Sequence, residues 1–215
     1  MINTKNINTK VFFEEARKEM IITDDRKNLL LSISDAIFDE YLERDKINLN
    51  FICTHNSRRS QLAQVWSFFA VEYFNLRNIF TYSGGTETTS FHRNTVKCLQ
   101  KTGFIFNVVD FSHQNPRYLI SFEDTKKSIL GFSKVFDHPQ NSYPFVAITT
   151  CDSADKDCPF IPDAIERFHL PYSDPKTSDN TDLTEETYLQ TSKQIAGELY
   201  FIFEEFKNRL PESYL

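Results

Sequence analysis

Phe51-Ile52-Cys53-Thr54-His55-Asn56-Ser57-Arg58-Arg59-Ser60-Gln61-Leu62-Ala63-Gln64 is the stretch that decides the fold. Leu49 to Thr54 is a short apolar run and reads as a buried strand, while Ser60 to Asn75 is aromatic and Ala-rich at helical spacing. Five residues separate Cys53 from Arg59. A loop of that length, leading into a helix N-terminus, can wrap one tetrahedral anion with the backbone of Thr54, His55, Asn56, Ser57, Arg58, Arg59 and Ser60. The same field favours an anionic sulfur on Cys53. The Arg59 fork can hold two oxyanion oxygens at once, the Ser60 hydroxyl can donate to the sulfur, and Asn56 can fix the loop's shape. A buried strand-end Cys with an exposed Arg is the bland alternative. A strand before, a helix after and Ser directly behind Arg59 make it the weaker reading.

Outward from this stretch, strand signals recur. Ile79 to Ser83 ends in Gly84-Gly85, Ile105 to Val109 follows a short helix over Phe91 to Thr102 stopped by Gly103, Phe145 to Thr150 is a fourth run, and Arg167 to Leu170 is a fifth. Strands alternating with helices predict an α/β fold: an open, mostly parallel sheet with helices on both faces. Residues 1–46 form an N-terminal helical extension, with Thr23 and Asp24 as caps of its second helix. The main domain is 47–215, ending in a helix from about Thr184 to Arg209 that Asp182 and Glu185 would cap. Residues 110–143 interrupt the rhythm. Arg117 to Phe122 and Ser128 to Val135 suggest an inserted hairpin or lid around Glu123–Lys127.

Composition excludes several classes. Gly is scarce, at 5 residues, so no glycine-rich dinucleotide fingerprint is available. Net charge is -6 with no Lys/Arg block, which argues against nucleic acid. No stretch approaches a membrane span, and Met1 to Thr9 is polar, so a cytoplasmic protein without secretory signal is expected. In that compartment Cys53, Cys98, Cys151 and Cys158 are reactive or buried rather than a disulfide framework.

Cys151 directly follows the Phe145 to Thr150 strand and therefore sits at the carboxyl edge of the sheet, where Cys53 also lies. Cys158 is seven residues further on. Zinc is a weak reading of this pair, because no second Cys or His pair follows, and independent buried cysteines are the alternative to redox chemistry. Were 151–158 helical, the two Cα atoms would stand roughly 10 Å apart at ~1.5 Å per residue, against the about 4.4–6.8 Å that a disulfide needs. A bond between them then requires unwinding. Asp174 precedes Pro175 in a loop and is biased toward an extended conformation; standing alone the pair reads as a plain turn, and beside a bound oxyanion it could donate a proton to a leaving oxygen. Cys98 reads as a small core residue.

Cys53 to Ala63 resembles the anion loop of the low-molecular-weight protein tyrosine phosphatase superfamily, and within it looks most like the thioredoxin-coupled arsenate reductases. Tyr82-Ser83-Gly84-Gly85 looks like the family's Ser-Ala-Gly element, and Asp174-Pro175 like its late catalytic Asp-Pro pair. The resemblance spans roughly 47 to 210. It implies Cys53 as nucleophile, Arg59 as oxyanion clamp, Asp174 as acid, and Cys151 and Cys158 as the pair that ends as a disulfide. It further implies a small oxyanion substrate and a thioredoxin-type reductant, with no bound cofactor and no metal. A phosphatase cleaving phosphate monoesters, or an oxyanion-binding module without turnover, remain alternatives. Some such reductases hold potassium through an Asn and a Glu; here Asn56 is matched by the neutral Gln64, so no potassium requirement is expected. Lys176, Thr177 and Ser178 stand where phosphatases usually carry aromatic residues.

Overall fold

Strand β1 (Ile47–Cys53) is buried at all seven positions, as a central parallel strand covered on both faces must be. The computed structural model describes residues 8–157 and 160–211 of the chain. In it β1 pairs in parallel with β2 (Ile79–Gly85) and with β6 (Phe145–Thr149), and β7 (Ala164–His169) adds to β6 in parallel, giving the order β2-β1-β6-β7. Leu49, Phe51, Val146 and Ile148 enter the large core on one face of this sheet. Ile52, Phe145 and Ala147 enter a smaller cluster on the other, with Ala154 of α5 (Asp152–Asp157). This is the period of two that strands impose. Asn48 and Asn50 point to that second face, where the carbonyls of Pro144 and Phe136 accept from their amides.

Helix α3 (Arg59–Tyr73) leads from the anion loop back to β2 and is buried continuously from Ser60 to Val71. Two N-terminal helices, α1 (Thr9–Lys18) and α2 (Asp24–Arg44), and the long C-terminal helix α6 (Thr184–Arg209) complete the large core. Phe12 and Phe13 of α1 stack on Trp66 of α3 at 5.3 and 5.7 Å. Gly197 lets α1 lie close to α6, since a Cβ there would stand 2.5 Å from the Ala16 carbonyl oxygen. Arg26 of α2 grips the buried Glu198 of α6 with two nitrogens, at 3.0 and 2.8 Å. Thr23 caps α2, accepting from Arg26 N–H.

Two expectations are corrected. The third strand, β3 (Phe104–Asp110), does not join the parallel sheet. After α4 (Arg93–Lys101) it pairs antiparallel with β4 (Arg117–Phe122), which pairs antiparallel with β5 (Ile129–Gly131). The reason lies in burial: Ile105, Val108 and Val109 are about half exposed, a pattern for an outer strand with a near partner rather than a central parallel one. Asp182 does not cap α6, whose N-cap is Leu183 without a side-chain bond. Thr184 instead donates to the Ser178 and Thr181 carbonyls, and Glu185 pairs with Lys101.

Candidate active site

Cys53 ends β1 with 4% exposure, and the chain then turns through 54–58 into α3. Every carbonyl from Thr54 to Ser57 is taken by a donor outside the turn. Thr54 O accepts from Glu87 N–H, His55 O from the Ser133 hydroxyl, Asn56 O from Gln61 Nε2, and Ser57 O from His92 N–H. Among the described residues no acceptor bonds the backbone N–H groups of 54–58. A turn whose carbonyls are drawn outward presents its N–H groups to the inside, which is the electrostatics of an anion cradle. Asn56 is held at φ 45°. Its side chain donates to Ser60 Oγ (2.9 Å) and accepts from Gln61 Nε2 (3.1 Å) and Lys134 N–H (2.9 Å). Because Ser60 Oγ already accepts from Asn56, its own proton is left for Cys53 Sγ, 3.0 Å away. Gly85 backs the loop, and a Cβ there would meet Thr54 O at 2.6 Å and Asn56 N at 2.9 Å. Gln64 lies behind it, between the Thr81 carbonyl and the Ser83 hydroxyl.

Arg59 reaches across to the loop after β7. Its guanidinium donates to Asp174 Oδ2 at 2.7 Å and to the Tyr172 carbonyl at 3.1 Å. Asp174 is extended (φ -77°, ψ 116°), and its other oxygen accepts from Lys176 N–H, starting the short 3-10 helix Pro175–Ser178. The pair stands at a rim, with Asp174 34% exposed and Arg59 16%.

Arg58 points the other way, onto Asp179 Oδ2 and the Tyr188 hydroxyl, both at 2.7 Å. Its backbone belongs to the loop; its charge does not face the anion site. Asp179 also accepts from Asn94 and Tyr188, and His92 Nδ1 lies 3.2 Å from the Tyr188 oxygen. Burial would raise the Asp179 carboxyl, but hydrogen bonds from Tyr188, Asn94 and Arg58 outweigh it and hold the group below the ordinary carboxylate range. Burial, then the Arg58 charge, lowers His92. Two consecutive arginines thus hold two carboxylates five positions apart. No local signal in the sequence joins Asp179, His92 and Tyr188 to Arg58.

Cys151 is 2% exposed and shares the small apolar cluster with Cys53. Its sulfur lies 3.6 Å from the Thr54 hydroxyl, inside the anion loop. The register explains this: Ile52 pairs with Thr149, and the Ile52 carbonyl accepts from Thr150 N–H, so the two strands end side by side. Helix α5 begins directly after Cys151 and is tied down by side chains. Asp155 accepts from Thr149 Oγ1 (3.0 Å) and Arg167 (2.6 Å), and Asp152 meets His169 Nε2 at 3.0 Å. Cys158 lies outside the described residues. Cys98 is remote in α4, where burial pushes its thiol up to about 12. Among the described residues no three His, Cys, Asp or Glu stand together as a metal site, and no helix is long and apolar enough to cross a membrane.

No protein-family model matches the chain. Among curated proteins, an arsenate reductase of Bacillus licheniformis is 28% identical over 155 residues, 71% of this chain and 91% of the relative. An arsenate reductase of Bacillus subtilis is 28% identical over 148 residues, 68% and 87%. In structure, a YwlE mutant from Bacillus subtilis superposes with a TM-score of 0.51 at 14% identity, covering 75% of this chain and 99% of that one. The YwlE arginine phosphatase with a phosphorylated active-site serine gives the same TM-score, with 76% and 97% coverage. Taken with the Cys53–Arg59 loop and the β2-β1-β6-β7 sheet, these similarities support a member of the low-molecular-weight protein tyrosine phosphatase superfamily, similar in sequence to arsenate reductases and in fold to the YwlE phosphatase.

Proposed function

We propose that the protein reduces arsenate to arsenite. The observation that carries this reading is Cys151, a second buried thiol in the same small cluster as Cys53, with its sulfur against Thr54 of the anion loop. Phosphate-ester hydrolysis has no use for such a neighbour; a two-electron reduction needs one. The sequence similarity to arsenate reductases supports the same substrate.

Arsenate enters the cradle, where the N–H groups of 54–58 and the Arg59 fork take its oxygens, the anion competing with Asp174 for Arg59. The Cys53 thiolate attacks arsenic(V) and an As–O bond breaks, its oxygen leaving as water with the proton from Asp174. Ser60 steadies the sulfur before attack. The Cys151 thiolate then attacks Cys53 Sγ, forming a Cys53–Cys151 disulfide. The S–As bonding pair departs with arsenic, which leaves as arsenite(III). Cys158, placed in this scheme by its position in the sequence, attacks Cys151 and frees Cys53. A thioredoxin-type reductant returns the resulting Cys151–Cys158 disulfide to two thiols. The setting is cytoplasmic, where such a reductant keeps thiols reduced.

The test compares thioredoxin-coupled arsenate reduction with aryl-phosphate hydrolysis on one preparation of wild type and of Cys151→Ser. Arsenate turnover in wild type, lost in the variant, supports the reading. Aryl-phosphate turnover alone, equal in both proteins, would make the chain a phosphatase with two incidental cysteines.

A further inference from the structure

Arg26 belongs to α2, in the N-terminal extension, yet its guanidinium ends beside the loop that carries Asp174. Nε and one terminal nitrogen hold the buried Glu198 of α6, at 3.0 and 2.8 Å. That terminal nitrogen also donates to the Pro171 carbonyl at 3.1 Å, and the guanidinium carbon stands 5.1 Å from the centre of the Tyr172 ring. A tie between α2 and α6 alone has no need of either contact. A buried ion pair also adds little net stability over apolar residues of the same volume.

The loop that Arg26 reaches is fixed to the sheet by its backbone. Leu170 N–H donates to the Thr149 carbonyl at 2.8 Å and Tyr172 N–H to the Thr150 carbonyl at 3.2 Å, which carries the β6–β7 pairing past His169. The Tyr172 carbonyl accepts from Arg59 Nη1 at 3.1 Å, and Arg59 Nη2 takes Asp174 Oδ2 at 2.7 Å. Only Ser173 lies between Tyr172 and Asp174. The oxyanion clamp and the proton donor thus both hang on the segment that Arg26 grips.

We propose that Arg26 is a positioning residue: with Glu198 it fixes Pro171 and Tyr172, and through them the Asp174 carboxyl and the Arg59 guanidinium. The N-terminal extension thereby becomes part of the active site without touching substrate. The inference rests on Asp174 as the proton donor of the reaction proposed above, and it holds for reduction and ester hydrolysis alike. Arg17 supplies a control. It ties α1 to Glu204 of α6 at 3.1 Å and lies 5.2 Å from the Phe201 ring. It is an extension-to-α6 pair of the same kind that makes no hydrogen bond to 170–174 among the described residues.

The test replaces the whole pair, Arg26→Met together with Glu198→Met, so that no buried carboxylate is left alone. Thermal stability should stay close to wild type while kcat falls about 10- to 100-fold, the scale of a misplaced catalytic group, with KM within about twofold. On an Asp174→Asn background the same replacement should lower kcat no further, because it acts through Asp174. Arg17→Met should leave kcat unchanged on either background. In the ¹⁵N-labelled full chain, the paired replacement should move the amides of Tyr172 and of Lys176, which donates to Asp174 Oδ1, and Arg17→Met should leave both in place. That readout needs no turnover, so it separates failure of this inference from failure of the proposed reaction. If the paired variant does not fold, Arg26→Lys decides the matter. It keeps the charge beside Glu198 and loses the planar fork, and the same amide shifts and loss of kcat are expected. An unchanged kcat, an equal further loss on the Asp174→Asn background, or Tyr172 and Lys176 amides that stay in place each overturns the proposal.

Discussion

After Cys53 the chain turns through five residues whose carbonyls, from Thr54 to Ser57, are each fixed by a different segment of the molecule. After Cys151, on the neighbouring strand, it makes the six-residue helix α5, fastened by Asp155 to Thr149 and Arg167 and by Asp152 to the rim residue His169. The first arrangement has no freedom to give away. The second is held by a few part-exposed side chains, the kind of tie that opens at low cost. The difference fits the proposed mechanism, in which the cradle for the anion is preorganised and the Cys151 thiol moves to meet Cys53 and later Cys158.

The largest effects separate the two cysteines. Cys53→Ser should remove arsenate reduction and any aryl-phosphate hydrolysis together, since a hydroxyl cannot stand in for the thiolate. Cys151→Ser should remove only the reduction. Steady-state assays of both reactions on both variants would break the comparison if the two variants lost the same activities. Cys158→Ser sharpens it: one turnover, then a trapped Cys53–Cys151 disulfide seen by mass spectrometry.

Next in size is Asp174→Asn, with turnover lower by about 10² to 10⁴ and oxyanion binding kept or improved, because Arg59 no longer has a carboxylate to hold. A binding isotherm beside the turnover number checks both halves.

Asp179→Asn is smaller and works through stability. Arg58, Tyr188 and Asn94 lose a charged acceptor, which should cost about 1–3 kcal/mol in denaturant melts at neutral pH. The sign with pH follows from the folded-state carboxyl being held below its ordinary range. Its contribution is present above the unfolded value, near pH 4, and is lost as pH falls through the folded one. The gap between wild type and variant should therefore close in acid.

The smallest effect is Asp155→Ala. It should speed amide exchange across α5 several-fold and leave 54–60 unchanged. Equal change in both segments would mean that the two are not mechanically separate.

The strand–turn–helix passage from Cys53 to Arg59 was legible in the sequence because its signals are local: an apolar run into Cys53, five residues, Arg59-Ser60, then helical spacing. Cys151 was legible for the same reason, following a buried run that had to be a strand, and Pro175 restricts Asp174 from the next position. What escaped depends on distant partners. Arg58 and Asp179 are 121 residues apart, and no local pattern joins them. Lys134 gives no sign in the sequence of being buried, since only the approach of the segment after β5 to Asn56 and Gly85 encloses it. The strand character of β3 was readable, but its choice of partner was settled by the hairpin that follows.

Helix α6 has a consequence for how the molecule comes into being. Phe12, Phe13, Leu30 and Ile33 share their core with Ile195, Leu199, Ile202 and Phe206, which are translated well after them. Tyr188, which holds Arg58 beside the cradle, also belongs to α6. A chain emerging from the ribosome therefore carries α1 and α2 without their partner until α6 is made, and such long-range closure is slow and exposes apolar surface meanwhile. Chains that stop short of α6 would leave that apolar surface uncovered, sticky and a target for chaperones.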